Sequence, residues 1–142
     1  MPTIDFAFLA DSAEAEPGRK FYVLGGGIDS INARAFPAVH PHMSLVMRVL
    51  VHPMEAQEDH AIEIRLIDSD GGELARINGN LSARGTPATG RDIAMNMVIN
   101  MVNTRFERPG DYSLEILIDG EHQRSVPLGL NELSGPPPGH PG

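Results

Sequence analysis

Two histidines separated by one residue are the first candidates for chemistry in this sequence. His40 and His42 flank Pro41, and in an extended segment residues two apart project to the same side. An imidazole pair could bind a metal ion, but zinc needs a third and usually a fourth ligand. His52 follows about ten residues later, so in a straight strand it would lie at the far end. The alternative interpretation is a set of exposed histidines around a proline turn.

Acidic residues are concentrated in the segment Asp68-Ser69-Asp70-Gly71-Gly72-Glu73, whose spacing is similar to part of a calcium loop. The full EF-hand pattern is absent, because Gly79 stands where that loop needs its last acidic ligand. Calcium could still bind between loops at one end of a β-sandwich, and a plain polar hairpin turn is the alternative. The carboxylates that could contribute are Asp68, Asp70, Asp119 and Glu121.

Motifs that would indicate phosphate binding or catalysis are incomplete. Gly25-Gly26-Gly27 is followed by Ile28 and Asp29, where a P-loop needs Lys and Ser or Thr, so a β-bulge or close strand crossing is favoured. No Gly-x-Ser-x-Gly elbow occurs. The chain also has no Cys, which excludes thiol catalysis and Cys-based zinc sites. We therefore predict a protein that is not an enzyme and binds no cofactor.

The charge of the chain disfavours nucleic acid as a partner. Its formal net charge is −8 and its pI is about 5.1, so binding to DNA or RNA would release no counterions in its favour. No stretch approaches the roughly 20 apolar residues of a membrane span. The N-terminus has no basic segment ahead of an apolar run, so we expect no secretion signal. The cytoplasm is the expected location.

The length of 142 residues predicts one domain. We assign it to residues 1–133 and expect the Pro- and Gly-rich residues 134–142 to be disordered. Residues 16–19 are predicted to form a turn and residues 82–91 a loop.

The stretch from Thr104 to Leu128 indicates the fold class. Apolar residues alternate with mainly polar ones from 112 to 118, which is typical of a half-buried strand. A two-residue turn at Asp119-Gly120 would put Val126 on the wrong face of the return strand. We therefore predict a three-residue loop, Ile118 to Gly120, with Gly120 in the left-handed region.

Two further segments complete the strand pattern. Residues 43–51 are apolar at almost every position, which predicts a central strand buried on both faces or packed against a partner. Residues 93–106 fit a strand or a helix, and we favour a long strand because its asparagines are poor helix formers. About eight strands with frequent turns predict an all-β protein, an antiparallel β-sandwich of immunoglobulin-like or related architecture.

Methionine suits adaptable contacts, because its side chain is flexible and polarisable. A Met-rich face could pack the core or form a protein interface, and its members are Met43, Met47, Met95, Met97 and Met101. We predict a non-enzymatic sandwich that acts through contacts with a protein partner of unknown identity, including self-association into a homo-oligomer. The alternative is a metal- or small-ligand-binding module that uses His40, His42 and the turn carboxylates. A hydrolase built on the same residues is a third hypothesis.

Three sequence pieces also carry a family resemblance. They are F-L-A-D-S-A-E at residues 8–14, K-F-Y-V-L-G-G-G-I-D at 20–29 with the later F-P, and R-P-G-D-Y-S-L-E-I-L-I-D-G-E at 108–121 with V-P-L. Together they resemble a bacterial family of small uncharacterised proteins, a domain of unknown function. The resemblance covers roughly Ile4 to Leu133. It implies an immunoglobulin-like or related β-sandwich with no known activity, and it transfers no functional residues.

Overall fold

The computed structural model describes residues 1–16, 20–83 and 90–133. Residues 17–19 of the predicted turn at 16–19, part of the predicted loop at 82–91 and the predicted tail at 134–142 lie outside these ranges. Within them the chain forms nine strands and one turn of 3₁₀ helix, Pro53–Glu55. The strands are β1 (Thr3–Ala15), β2 (Phe21–Ile28), β3 (Ser30–Ala33), β4 (Ala38–Val51), β5 (His60–Ile67), β6 (Glu73–Leu81), β7 (Ile93–Phe106), β8 (Gly110–Ile118) and β9 (Glu121–Glu132).

The strands form two sheets, a 4-stranded sheet of order β2-β1-β4-β7 and a 5-stranded sheet of order β3-β9-β8-β5-β6. The two sheets pack their inner faces around one apolar core. Neighbouring strands are antiparallel except β3 and β9, which are parallel. The prediction of an all-β sandwich is confirmed, with nine strands among the described residues instead of about eight.

β4 is an interior strand that is buried on both faces. Met43, Leu45 and Met47 belong to the core between the sheets and have 0% exposure. Ser44 and Val46 alternate with them on the opposite face and also have 0% exposure. The predicted central strand is therefore confirmed.

The β1–β2 hairpin folds back over that opposite face. Ala15 pairs with Phe21, yet the ring centroid of Phe21 lies 5.9 Å from that of Phe6. A straight strand would carry Ala15 roughly 30 Å away from Phe6, so β1 must bend back on itself. The rings of Phe6 and Phe8 stack with centroids 6.0 Å apart. The folded hairpin therefore shields an apolar outer face, next to which Val46 is fully buried.

Glycines in β2 provide the irregularity that the sequence predicted there. Gly25 and Gly27 have φ values of 62° and 87°, which residues other than glycine rarely adopt. The pairing register between β1 and β2 shifts between Leu9 and Ala10. The interpretation of the glycine run as a β-bulge is confirmed, and the bulge lies where the hairpin leaves the sheet.

β7 settles the ambiguity of residues 93–106 in favour of a strand. It pairs with β4 in one register from Ala38↔Phe106 to Val51↔Ile93. Asn103 has a φ of 53°, a left-handed conformation that asparagine tolerates. This turn of the backbone lets both Met101 and Phe106 be buried, although residues five positions apart in a regular strand point to opposite faces.

The β8–β9 hairpin confirms the predicted faces but not the predicted loop. Tyr112 pairs with Leu128, and both are buried. The turn has two residues, because Ile118 pairs directly with Glu121. The three-residue loop, Ile118 to Gly120, was therefore wrong. An extra residue in β9, Gln123, shifts the register between Ile116 and Leu117 and thereby restores the buried face.

Tyr112 ties the corner before β8 to the core. Its hydroxyl donates to the carbonyl of Arg108 at 2.6 Å, and its ring packs edge-on against Phe106 at 5.0 Å. A tyrosine bonded to backbone a few residues upstream is a feature of immunoglobulin domains. The sheet orders also agree with that fold, since β4-β7 and β9-β8-β5 correspond to its B-E and G-F-C strands.

We expect Gly120→Val to destabilise the fold by about 1–3 kcal/mol through backbone strain alone. Gly120 has a φ of 79°, and a Cβ there would meet no atom within 4 Å. Chemical denaturation should show the loss. Gly129→Ala is the control, since that glycine lacks a positive φ and a Cβ would approach no atom closer than 3.8 Å. Equal stability of both variants would contradict the turn assignment.

We expect Tyr112→Phe to lower the free energy of unfolding by about 1 kcal/mol, because the Arg108 carbonyl loses its partly buried donor. The phenylalanine ring keeps the apolar packing against Phe106. Thermal unfolding monitored by circular dichroism would measure the change. A melting temperature equal to that of the unmodified chain would show that the corner hydrogen bond does not stabilise the fold.

Candidate functional site

One side of the sandwich is an open edge bordered by two end strands. β6 ends the 5-stranded sheet and β7 ends the 4-stranded sheet, and a groove of about 390 Å³ lies between them. Leu74 and Ile77 of β6 line it together with Met101 and Val102 of β7. No described strand pairs with the outer side of either β6 or β7. We call this side, including the groove, the open edge.

A β-bulge aligns the apolar side chains on the β6 wall of the groove. The pairing of β5 with β6 shifts between Leu66 and Ile67, which leaves Leu74 as the extra residue. Leu74 and Ile77 therefore both pack against the core despite their odd spacing. Sequence periodicity did not identify these groove residues. Leu74 and Ile77 are three positions apart, so in a regular strand they would point to opposite faces, and this mismatch is the only sign of the bulge in the sequence.

The opposite side of the sandwich is bridged by the backbone. β2 ends at Ile28 and β3 begins at Ser30, so the chain crosses from one sheet to the other through Asp29. The carbonyl of Asp29 accepts a hydrogen bond of 2.9 Å from the Gly129 amide. The side away from β6 and β7 is therefore closed by the chain connection between the two sheets, whereas the open edge has no such connection among the described residues.

β7 has few of the features that protect an edge strand from pairing. Among its 14 residues only Arg105 is charged, and none is proline. β3, by contrast, has only 4 residues, and β6 carries Glu73 and Arg76 in an ion pair of 2.7 Å. Charges, prolines and short length are what natural edge strands use against association. Residues 93–104 therefore form a long, uncharged edge.

The structure separates the five predicted interface methionines. Met43 and Met47 are fully buried and Met101 is 8% exposed, so these three pack the core and are not offered to a partner. Met95 and Met97 are half-buried and pack against the core. The parts of β7 that reach solvent are instead its backbone edge and its outer face, where Val102 is 64% exposed.

His40 and His42 do lie on one face of β4, opposite Thr104 and Val102 of β7. Nδ1 of His42 lies 2.9 Å from the Asp11 carbonyl, so it donates there. The two histidines therefore share a face as predicted, but the polar contact of His42 is with backbone.

Asp68 and Asp70 shape the β5–β6 turn instead of pointing at these histidines. One carboxylate oxygen of Asp68 accepts hydrogen bonds from the Asp70 amide at 3.0 Å and the Gly72 amide at 2.8 Å. Asp70 accepts a hydrogen bond of 3.0 Å from Arg108. Polar-turn geometry, the alternative interpretation of this segment, accounts for these contacts.

The predicted calcium ligands lie at opposite ends of β5. Asp119 contacts His60, the first residue of the strand, whereas Asp68 follows its last residue. At about 3.3 Å per residue these carboxylates are too far apart to share one ion. Within residues 1–16, 20–83 and 90–133 no group of three or more His, Asp or Glu side chains is placed to hold a metal.

A partly buried ion pair that the sequence did not reveal joins β5 to the β8–β9 turn. Nδ1 of His60 lies 2.7 Å from an Asp119 carboxylate oxygen, and Nε2 lies 3.1 Å from the Glu55 carbonyl. Both ring nitrogens therefore face acceptors, so the doubly protonated imidazolium satisfies both contacts. The other Asp119 oxygen accepts from the Ala61 amide at 2.9 Å. The pair is separated by 59 positions in the chain, which hides it from local patterns.

The charges of this pair shift both groups towards their ionised forms. Burial alone would lower the pKa of His60, but its bonds to Asp119 and to the Glu55 carbonyl outweigh burial and raise it. The hydrogen bond from His60 is the main reason that the pKa of Asp119 is lowered. The other charges nearby are the Glu55 carboxylate and the Met1 ammonium, which pair with each other.

A second polar cluster on β8 and β9 has serine, histidine and glutamate but not the geometry of a nucleophile. Nε2 of His122 lies 2.6 Å from Glu115 and 3.0 Å from the Ser125 hydroxyl. In a catalytic triad the acid and the serine contact different ring nitrogens. Burial alone would raise the pKa of Glu115, but hydrogen bonds from Ser113, Ser125 and His122 outweigh burial and lower it. The cluster is a set of hydrogen bonds around one carboxylate.

The described residues contain no helix with the length and apolar character needed to cross a membrane. Comparison with known proteins adds a family match. The model of a family of unknown function, DUF6941, matches residues 5–131. No curated protein matches the chain.

One similar solved structure is that of the Pseudomonas fluorescens alkylpurine DNA glycosylase AlkC bound to DNA containing an abasic site analog. The two chains are 15% identical with a TM-score of 0.48, and the alignment covers 92% of this chain. This chain spans 30% of the length of that one. At this TM-score the similarity carries no inference about function.

We expect the stability of the chain to fall as the pH rises through the raised pKa of His60, above its ordinary value of about 6.5. The stabilisation from His60 is fully present below that ordinary value, because the folded state binds the proton more tightly. Stabilisation from Asp119 is present above its ordinary value and is lost only as the pH falls through the lowered one.

Denaturation of the unmodified chain and of Asp119→Asn between pH 6 and 9 would measure this dependence. Asparagine tolerates the left-handed backbone of residue 119, where φ is 51°, and it removes the charge that holds the His60 proton. The variant should lose less stability than the parent as the pH rises. Equal pH dependence in both proteins would show that the ion pair does not control it.

Proposed function

We propose that this chain, which belongs to the DUF6941 family of unknown function, is a non-enzymatic protein-binding module that acts through its open edge. The observation that carries the proposal is the long, uncharged edge of β7 beside an apolar groove. The occupant is an extended protein segment that pairs with β7 and continues the 4-stranded sheet. A cytoplasmic location, favoured by the lack of Cys, suits such a module.

Backbone hydrogen bonds supply the affinity in this mode of binding. In an antiparallel ladder, alternate residues direct their N–H and C=O groups to the same neighbour. About half of the residues of β7 therefore point these groups away from β4, toward the free edge. An added strand would satisfy them, as it does in proteins that bind peptides by β-strand addition.

The groove supplies selectivity for apolar side chains. Alternate side chains of the added strand would face the inner side of the sheet, where Leu74, Ile77 and Met101 line the groove. Four polar residues of β7 also line the groove, so it is the apolar part of the lining that favours aliphatic or methionine side chains in the partner.

The charged outer face of the second sheet is a less suitable docking surface. Its charges are paired with each other across β5 and β6, since Glu63 accepts from Arg65 at 2.8 Å and lies 3.0 Å from Arg76. Paired, exposed ions present no excess of one charge to a partner. The open edge therefore accounts best for a protein-binding role.

The alternative function, a metal- or small-ligand-binding module, is favoured by one observation. Nε2 of His40 is buried and has no hydrogen-bond partner among the described residues. The other predicted ligands, Asp68 and Asp70, are occupied by turn amides and Arg108. A ligand bound at His40 would therefore need contacts with residues other than Asp68 and Asp70.

Photo-crosslinking in cells tests the proposed function. A benzophenone amino acid placed at Val102, which is 64% exposed on β7, should form an adduct with another protein chain upon irradiation. The matched control is the same amino acid at Leu24, which is 72% exposed on β2 and should give no such adduct. If Val102 yields no intermolecular product, or both positions give the same products in equal yield, the proposal fails.

A further inference from the structure

The sequence of β7 has the same chemical pattern in both directions from Val98. Outward from that residue, Met97 matches Ile99 in apolar character, Asn96 matches Asn100, and Met95 matches Met101. Ala94 and Val102 form the next apolar pair. Read outward from its middle residue, β6 has no such symmetry, because Arg76 would match Asn78 and Glu73 would match Leu81.

Such symmetry is what pairing between two copies of one strand requires. When a strand pairs antiparallel with its own copy about a two-fold axis, each residue faces the residue equally far from the axis on the other side. With the axis at Val98, that residue would lie opposite Val98 of the second copy, and Asn96 would lie opposite Asn100 of the second copy. Amide side chains would then meet amides, and apolar side chains would meet apolar ones.

We propose that the protein segment bound at β7 is the same strand of a second copy of this chain, centred on Val98. The inference rests on the proposed function and names its partner. The 4-stranded sheets of the two copies would join into one continuous sheet across the two-fold axis. An isologous contact of this kind closes on itself, so it produces a dimer and not a fibre.

Charge and shape are compatible with this contact. Each copy has a formal net charge of −8, yet residues 93–104 contain no charged side chain, so the paired stretches bring no like charges together. On the outer face the small Ala94 would lie opposite the larger Val102 of the second copy. Val102 is 64% exposed in the single chain, and the added strand would cover part of that apolar surface.

Single-cysteine variants test the dimer and its register, because the chain has no Cys of its own. At the axis the two Val98 Cα atoms would lie about 4.5–5.5 Å apart, within the range of a disulfide. Val98→Cys should therefore form a covalent dimer under mild oxidation. Ala94→Cys and Val102→Cys are matched controls, since each lies about eight residues, roughly 26 Å, from its own equivalent along the paired strands.

Mixing the two control variants gives a second readout that leaves Val98 unchanged. Ala94→Cys and Val102→Cys should each stay unlinked alone but form a mixed disulfide together, because the register sets these positions opposite each other. Sedimentation of the unmodified chain should show a concentration-dependent dimer. Circular dichroism of the reduced variants confirms that they are folded.

Two results would overturn the inference. The first is a chain that stays monomeric at high micromolar concentration while neither Val98→Cys nor the mixed pair forms a disulfide. The second is efficient self-linking of Ala94→Cys or Val102→Cys alone, which would place the axis elsewhere. If no dimer forms but Val102 still crosslinks to a different protein in cells, only the identity of the partner is wrong. Absence of both products would remove the proposed function as well.

Discussion

The buried backbone of β4 is the constraint on which the rest of the structure depends. Side chains cover this strand on both faces, so water cannot satisfy its peptide groups, and a buried unpaired N–H or C=O would be costly. β1 and β7 satisfy them by pairing along its two sides. The folded-back hairpin, with Phe21 against Phe6, completes the burial. The position of β7 at the open edge is therefore a consequence of how β4 is satisfied.

The two sides of the sandwich deal with their end strands differently. Where Asp29 links β2 to β3, the chain joins the two sheets and the edge strand of the second sheet is short. On the other side, β7 extends for 14 residues with one charge, and the apolar side chains of the groove remain partly open. A fold that tolerates such an edge has either to protect it or to use it. The difference between the sides is the physical basis of the proposed binding role.

Local sequence patterns predicted much of this fold, because alternation with a period of two reports which face of a strand is buried. They identified β4, β7 and the buried face of the β8–β9 hairpin. They failed where one extra residue changes the register, as at Gln123 and Leu74. A bulge in a strand and one more residue in a loop both move the following side chains to the other face of the sheet, so the sequence does not distinguish them.

Features that depend on distant residues were also beyond local patterns. The contact between Phe6 and Phe21, the pair of His60 with Asp119, and the groove between β6 and β7 each join separate parts of the chain. For the methionines, residue type alone did not predict whether a side chain lies in the core or at an interface. Side-chain exposure, which requires the fold, made that distinction for Met43 and Met47.

The parallel pairing of β3 with β9 has a mechanical consequence. Ser30 to Ala33 run beside Gly129 to Glu132 in the same direction, although one segment is early in the chain and the other late. Tension along the chain would pull these strands in opposite senses along their common axis. Their hydrogen bonds would then be sheared together instead of being unzipped one by one, so this short ladder would resist stretching more than its length suggests.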